Sequence, residues 1–178
     1  MRVWMALACV GLLAACANDT GIDNTPAEVA AAAYVAPGPK SITLMTMINN
    51  RTGSGGHTAL VVNGSQQVIF DPAGSFRDPR VIERGDVLYG MTPKWIQGYK
   101  SSHARSTYHV VSQELQVSNA QAEQILQLVM SNGQVAGAFC ANATSDILTQ
   151  VQGFESISKT FYPAKLSEQF ASLPGVKT

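Results

Sequence analysis

Three side chains of this sequence could together carry out nucleophilic acyl chemistry: the thiol of Cys140, the imidazole of His57 and the carboxylate of Asp71. Cys140 sits in the stretch GAFCANATSD, and Thr144, Ile147, Leu148 and Val151 follow it along one helical stripe. That spacing puts the thiol at the first turn of a helix, pointing toward the apolar face. There it meets unpaired backbone N–H groups and the positive end of the helix dipole, which favour the thiolate. A nucleophilic thiolate also needs a base within hydrogen-bond reach, and the base needs a group to orient it. His57 is the best placed of the three histidines, opening a predicted strand directly after Gly53-Ser54-Gly55-Gly56, where missing side chains would leave room for a substrate backbone. His109, on a later predicted strand, reads as a partly buried structural residue with the reserve role of base, and His103 in SSHARS reads as solvated.

Asp71 ends the strand expected to pair with that of His57. Asn63-Gly64 tolerates positive φ and makes a hairpin the natural connection. A loop of Asn63-Gly64-Ser65 would set position 57 opposite 71, with both side chains on one face. A strict two-residue turn would pair 57 with 70 and turn Asp71 away unless a bulge restored it. The sequence leaves both registers open. Taken singly, each residue also has a structural reading: Cys140 as a small buried apolar group, His57 as the end of a strand, Asp71 before Pro72 as a turn initiator. Their order, spacing and strand-to-helix context are what join them into a candidate site.

Other chemistries find less support. There is no HExxH and no CxxC, so no metal site is expected. RTGSGGH lacks the lysine and hydroxyl of a phosphate-binding loop, and no cofactor is expected. Only 13% of the residues are charged and the formal net charge is zero, which gives no electrostatic case for nucleic acid.

The elements that must position these residues follow from periodicity. Residues 41–48 (SITLMTMI), 57–62 (HTALVV), 66–70 (QQVIF), 85–90 (GDVLYG) and 106–111 (STYHVV) read as strands. The glycine-rich loop 49–56 separates the first two, and 75–105 is otherwise hard to parse. Ser118 with Gln121 forms a capping box, and Ala122, Ile125, Leu126, Val129 and Met130 repeat at helical spacing until Asn132-Gly133. The helix of Cys140 follows. A third, short helix runs through PAKLSEQFASL, with Pro163 in its first turn. Strands first and helices last predict an α+β domain.

The first residues look like an export signal. Arg2 precedes an apolar run from Val3 to Ala15, thirteen residues and too short to span a bilayer, for which ~20 are needed. The ending Leu13-Ala14-Ala15-Cys16 resembles the lipobox of bacterial lipoproteins. By that resemblance, residues 1–15 are a signal peptide, Cys16 is the lipidated first residue of the mature protein and the membrane is reached through its lipid. Ala17, rather than an aspartate, points to the outer membrane, facing the periplasm, by the sorting rule of enteric lipoproteins. Cys9 is then discarded and Cys16 acylated, so Cys140 has no disulfide partner within the chain. An exported protein would keep such a thiol either buried or reactive. Residues 16–40, rich in Ala, Pro and small polar groups, read as a tether, and 41–178 as one domain.

The order of histidine strand, polar residue on the next strand and, much later, a cysteine opening a helix resembles the circularly permuted papain-like fold. That group holds permuted relatives of the NlpC-type peptidoglycan hydrolases and the lecithin:retinol acyltransferase-like proteins. GGHTALVV is similar to the histidine strand, VIFDPAG to the segment with the orienting residue and GAFCANATSDIL to the nucleophile helix, while FYPAKLSEQF resembles the proline-plus-helix piece that follows. The resemblance implies a cysteine amidase or peptidase with Cys140 as nucleophile, His57 as general base and Asp71 as the orienting residue. It also implies an antiparallel sheet with its hairpin first and helices packed upon it. Cys140 lacks the acidic or histidine neighbours of the acyltransferase branch, which argues against lipid acyl transfer. For a lipoprotein facing the cell wall, the expected substrate is a peptidoglycan peptide. The alternative is a non-catalytic envelope-binding lipoprotein with a degenerate papain-like scaffold, in which Asp71 points away from His57.

Overall fold

The computed structural model describes residues 23–178. The expected signal peptide, the lipidation site Cys16 and the first residues of the expected tether lie outside the described residues. In chain order the elements are α1 (Pro26–Ala31), β1 (Ser41–Asn49), β2 (Gly55–Asn63), β3 (Gln67–Phe70), β4 (Ile82–Arg84), β5 (Val87–Tyr89), α2 (Pro93–His103), β6 (Tyr108–Gln116), α3 (Asn119–Asn132), α4 (Cys140–Thr149) and α5 (Pro163–Ala171). The strands form one antiparallel sheet of six in the order β4-β5-β3-β2-β1-β6. The class is α+β, as expected. Among the described residues, no helix is long and apolar enough to cross a membrane.

The sheet is covered on both faces. Ile42, Leu44, Leu60 and Val62 pack with Ile125, Leu126, Leu148, Leu166 and Phe170 of α3, α4 and α5. Met45, Met47, Ala59 and Val61 face the other way, toward Met91, Trp95 and Tyr99 of the α2 side. Successive strand residues point to opposite faces, so cover on both sides makes every residue from Thr58 to Asn63 buried. That is why HTALVV reads as a continuous apolar run and not as an alternation.

The helices start where their caps dictate. Ser118 accepts from the Gln121 amide while Gln121 reaches back to the Ser118 amide, the reciprocal box that fixes the start of α3. Pro163 occupies the first turn of α5, where its missing N–H costs nothing. α5 is tied to the edge strand by a buried pair: Gln113 Nε2 donates to the Ser167 carbonyl at 3.1 Å and Ser167 Oγ to Gln113 Oε1 at 2.9 Å.

Two regions differ from the sequence-based expectation. The stretch 75–105 contains β4 and β5 and, beyond them, the eleven-residue helix α2, started by Thr92 as N-cap and Pro93. The segment read as a tether is, from residue 23 onward, packed against the body. Asn24 N donates to the Glu83 carbonyl at 2.8 Å and Gln67 N to the Tyr34 carbonyl at 2.7 Å, while Val29 and Ala32 join the core. α1 carries its own capping box between Thr25 and Glu28.

Candidate active site

His57 stands beside an irregularity in β2. The register with β1 passes from Met47 opposite His57 to Ile48 opposite Gly55, a bulge at Gly56. An extra residue bends a strand and increases its twist, which re-aims the neighbouring side chain. The two glycines serve close packing and not a substrate backbone, contrary to the expectation. A Cβ on Gly55 would fall 2.5 Å from the Ala164 amide nitrogen at the start of α5, and one on Gly56 would fall 2.7 Å from the Tyr108 ring.

The β2–β3 loop is Gly64-Ser65-Gln66, and neither expected register occurs. Asn63 pairs with Gln67 and Leu60 with Phe70, so the continued ladder sets Asp71 level with Ala59, two residues from His57 on the same face. The loop is held by Glu123 of α3, which accepts from Ser65 N at 2.9 Å and Ser65 Oγ at 2.8 Å. A diagonal neighbour is within reach of a long side chain. His57 Nε2 and Asp71 Oδ1 accordingly lie 2.6 Å apart.

Asp71 is 3% exposed, and the same Oδ1 accepts a second bond from the Tyr99 hydroxyl at 2.6 Å. Gly74 backs the carboxylate so closely that a Cβ there would lie 1.9 Å from Oδ2. Burial works against the Asp71 charge, yet the bond and charge of His57, the bond from Tyr99 and the charge of His103 outweigh it, and its pKa is lowered. Asp71 is thus a carboxylate that accepts from His57 Nε2–H, which leaves Nδ1 as the ring nitrogen open to a further partner.

Cys140 lies close enough to the ring to interact with it. Burial opposes the positive charge on His57, but the bond to Asp71, the bond to Cys140 and the charges of both carry its pKa up from 6.5 to about 10. Burial likewise opposes the thiolate. The bond and charge of His57, then the backbone amides of Thr58 and Ala141, overcome it and lower the Cys140 pKa. Both shifts favour a thiolate beside an imidazolium over the neutral pair.

The start of α4 is arranged for an anion. Phe139 is its N-cap and makes no side-chain capping bond, so the orphan N–H groups of the first turn are not engaged by a cap. Ala138, just before it, has φ of 70°, a left-handed conformation that costs a residue with a Cβ roughly 1–2 kcal/mol. Strain of this kind collects where chain direction matters more than local comfort. Cys140 itself is 6% exposed.

Asp86 ties the two halves of the site together. Its Oδ2 accepts from Ala73 N at 2.7 Å, in the turn after Asp71, and from Val135 N at 2.9 Å, in the loop before Cys140. Its own carbonyl accepts from Asp71 N at 2.8 Å.

Of the residues singled out in the sequence, the structure brings Cys140, His57 and Asp71 together, adds His103 beside them and sends His109 elsewhere. His109 is exposed, with Nδ1 2.7 Å from Asn50 Oδ1. His103 is not solvated as expected. It is half-buried at the end of α2, stacked on His57 with centroids 6.1 Å apart and tilted against Tyr99 at 4.3 Å, with its Nδ1 2.9 Å from the Tyr99 carbonyl. Tyr99 and Asp86 were missed. For Tyr99 the usable signal was Thr92-Pro93, an N-cap followed by proline, which starts the helix that carries it. A cleft of about 380 Å³ lined by Asn24, Phe76, Arg77, Val81, Glu83 and Leu88 includes none of the three site residues.

Comparison with protein-family models, with curated proteins and with solved structures finds no match to the chain.

Proposed function

We propose that the protein is a thiol-dependent amidase or peptidase of the bacterial cell envelope, with a circularly permuted papain-like fold and an outer-membrane lipid anchor on Cys16. The observation that carries this reading is the imidazole of His57, held 2.6 Å from the Asp71 carboxylate and close enough to Cys140 for each to shift the other's pKa. The order of elements also fits it: a histidine hairpin early, a cysteine helix late and a proline-led helix behind.

In this reading the thiolate attacks an amide or ester carbonyl, and N–H groups at the start of α4 stabilise the oxyanion. The His57 imidazolium protonates the leaving group, giving a thioester on Cys140. His57, now neutral, takes a proton from the water that attacks the thioester, which releases the acid and leaves the thiolate beside the imidazolium. Asp71 fixes the orientation and tautomer of the ring throughout. Peptidoglycan peptides are the proposed substrate class on the ground of location.

The rival reading, a non-catalytic envelope-binding lipoprotein, predicts Asp71 aimed away from His57, and their contact supports catalysis instead. Alkylation of Cys140 by iodoacetamide tests the proposal. The rate at pH 7 should exceed that of an ordinary thiol and fall at least roughly tenfold in His57→Ala, since each lost pKa unit of depression costs tenfold in thiolate. A thiol that reacts only above pH 8.5, unaffected by His57→Ala, would exclude the mechanism. Release of amines from purified cell-wall peptides, abolished by Cys140→Ser, tests the substrate.

A further inference from the structure

Four large apolar side chains stand out as exposed among the described residues: Val35 at 63%, Phe139 at 44%, Phe161 at 53% and Tyr162 at 71%. Scattered singly, such residues need no explanation; gathered at one place, they mark a binding surface. Three of the four lie on the residue before Cys140 and on the segment that its ring touches. Phe139 immediately precedes Cys140 as N-cap of α4, and its ring meets that of Phe161 edge-on, with centroids 5.2 Å apart. Tyr162 is the N-cap of α5, whose first residue, Pro163, abuts Gly55 two positions before His57. The aromatic shelf thus runs from the helix that carries the sulfur to the strand that carries the imidazole.

The backbone that presents these rings is itself pinned. Thr160 N donates to the buried Ser145 Oγ of α4 at 3.1 Å, and Tyr162 N to Thr160 Oγ1 at 3.2 Å. The rings therefore face solvent on a fixed segment, where turning them inward would bury more apolar surface. Fixed, exposed aromatic area beside a reactive atom offers a partner large contact at low entropic cost.

Resting on the thiol-hydrolase reading above, we propose that Phe139, Phe161 and Tyr162 form a substrate subsite that selects a peptide with a large apolar side chain next to the scissile carbonyl. Such a side chain covers the shelf as the carbonyl reaches Cys140. Small or charged side chains leave it wet and gain nothing from it. The shelf therefore sets the substrate preference, while His57 and Asp71 set the reactivity.

Two alkylating probes of equal warhead separate these roles. Second-order rates of Cys140 alkylation are measured in the full-length chain with iodoacetamide and with N-benzyl iodoacetamide, and their ratio is compared with that for free cysteine. Partial burial of one benzyl ring predicts a ratio roughly tenfold above the free-cysteine value. Phe161→Ala and Tyr162→Ala should each bring it below about threefold, and Val35→Ala, far from the site in sequence and exposed, should leave it unchanged. Fast iodoacetamide reaction without a benzyl advantage, or an advantage that survives both substitutions, overturns the subsite while leaving the thiol-hydrolase reading intact. Slow reaction with both probes overturns that reading and the subsite with it.

Discussion

At the scale of single residues, the least expected participant is Tyr99. Its fully buried hydroxyl donates to the same Asp71 oxygen that accepts from His57, and burial, the charge of Asp71 and that bond hold its own pKa well above the ordinary tyrosine value. It stays a donor at every pH at which the site works. Since the Tyr99 bond helps lower the Asp71 pKa, the hydroxyl extends downward the pH range in which the imidazolium keeps its counter-charge. A hydrogen bond to a charged group is worth about 1.5–3 kcal/mol, equivalent to roughly one to two pH units. Tyr99→Phe should therefore move the acid limb of the Cys140 alkylation profile upward by about one unit. The ring still packs with Phe76 and His103, so a purely structural role would leave that limb in place. An unmoved limb would remove Tyr99 from the positioning of the site.

At the scale of elements, Asp86 does for the loops what Tyr99 does for the carboxylate. The turn after β3 and the loop before α4 have no strand or helix in common, and Asp86 Oδ2 accepts an amide from each. Asp86 also has φ of 60°, which asparagine tolerates far better than alanine. Asp86→Ala should lower stability by about 1–3 kcal/mol, the cost of leaving such donors unpaired, and should slow Cys140 alkylation. Asp86→Asn, which keeps an acceptor and the backbone preference, should retain most of both. Urea unfolding and alkylation rates on the two variants check this, and equal behaviour of the pair would show that Asp86 is only a turn residue.

What the sequence could and could not reveal follows the same division. α3 and α4 were legible because their buried residues recur at helical spacing and Ser118 or Cys140 marks the start. α2 was not, because its only fully buried residue is Tyr99 and Gly98 interrupts its propensity; an N-cap and a proline are weak signals beside absent periodicity. That Asp71 and His57 share a face was among the open registers, although the loop that produces it is neither of the two considered. Alternation survives a shift of two residues, so the facing outcome was recoverable where the loop was not. The role of Gly55 and Gly56 was beyond reach, since the groups that crowd them come from Tyr108 and α5, more than fifty residues away.

At the scale of the whole molecule, the ion pair has a consequence for stability that neither group would show alone. His57 is raised from 6.5 to about 10, so its contribution is complete below pH 6.5 and is lost as pH rises toward 10. Cys140 is lowered from 9.0, so its contribution is complete above pH 9 and is lost as pH falls through its folded value. Between about pH 7.5 and 8.5 the folded ring keeps a proton that the unfolded ring has lost, which makes stability fall with pH, while the folded thiol gives up its proton before the unfolded one does, which makes stability rise. The two slopes oppose each other. Glu83, raised from 4.5 to about 7 by burial against the opposing charge of Arg77, changes stability mainly below this window. The wild-type pH slope across it should therefore be shallower than that of the ring alone. In Cys140→Ser the thiol proton disappears from the unfolded side while Asp71 still raises His57. Stability should then fall as pH rises, by up to about 1.4 kcal/mol per unit for one proton. Urea midpoints at pH 7.5 and 8.5 measure the difference. A Cys140→Ser profile no steeper than the wild type would mean that the thiol does not oppose the slope of the ring, and the coupling of Cys140 to His57 would have to be abandoned.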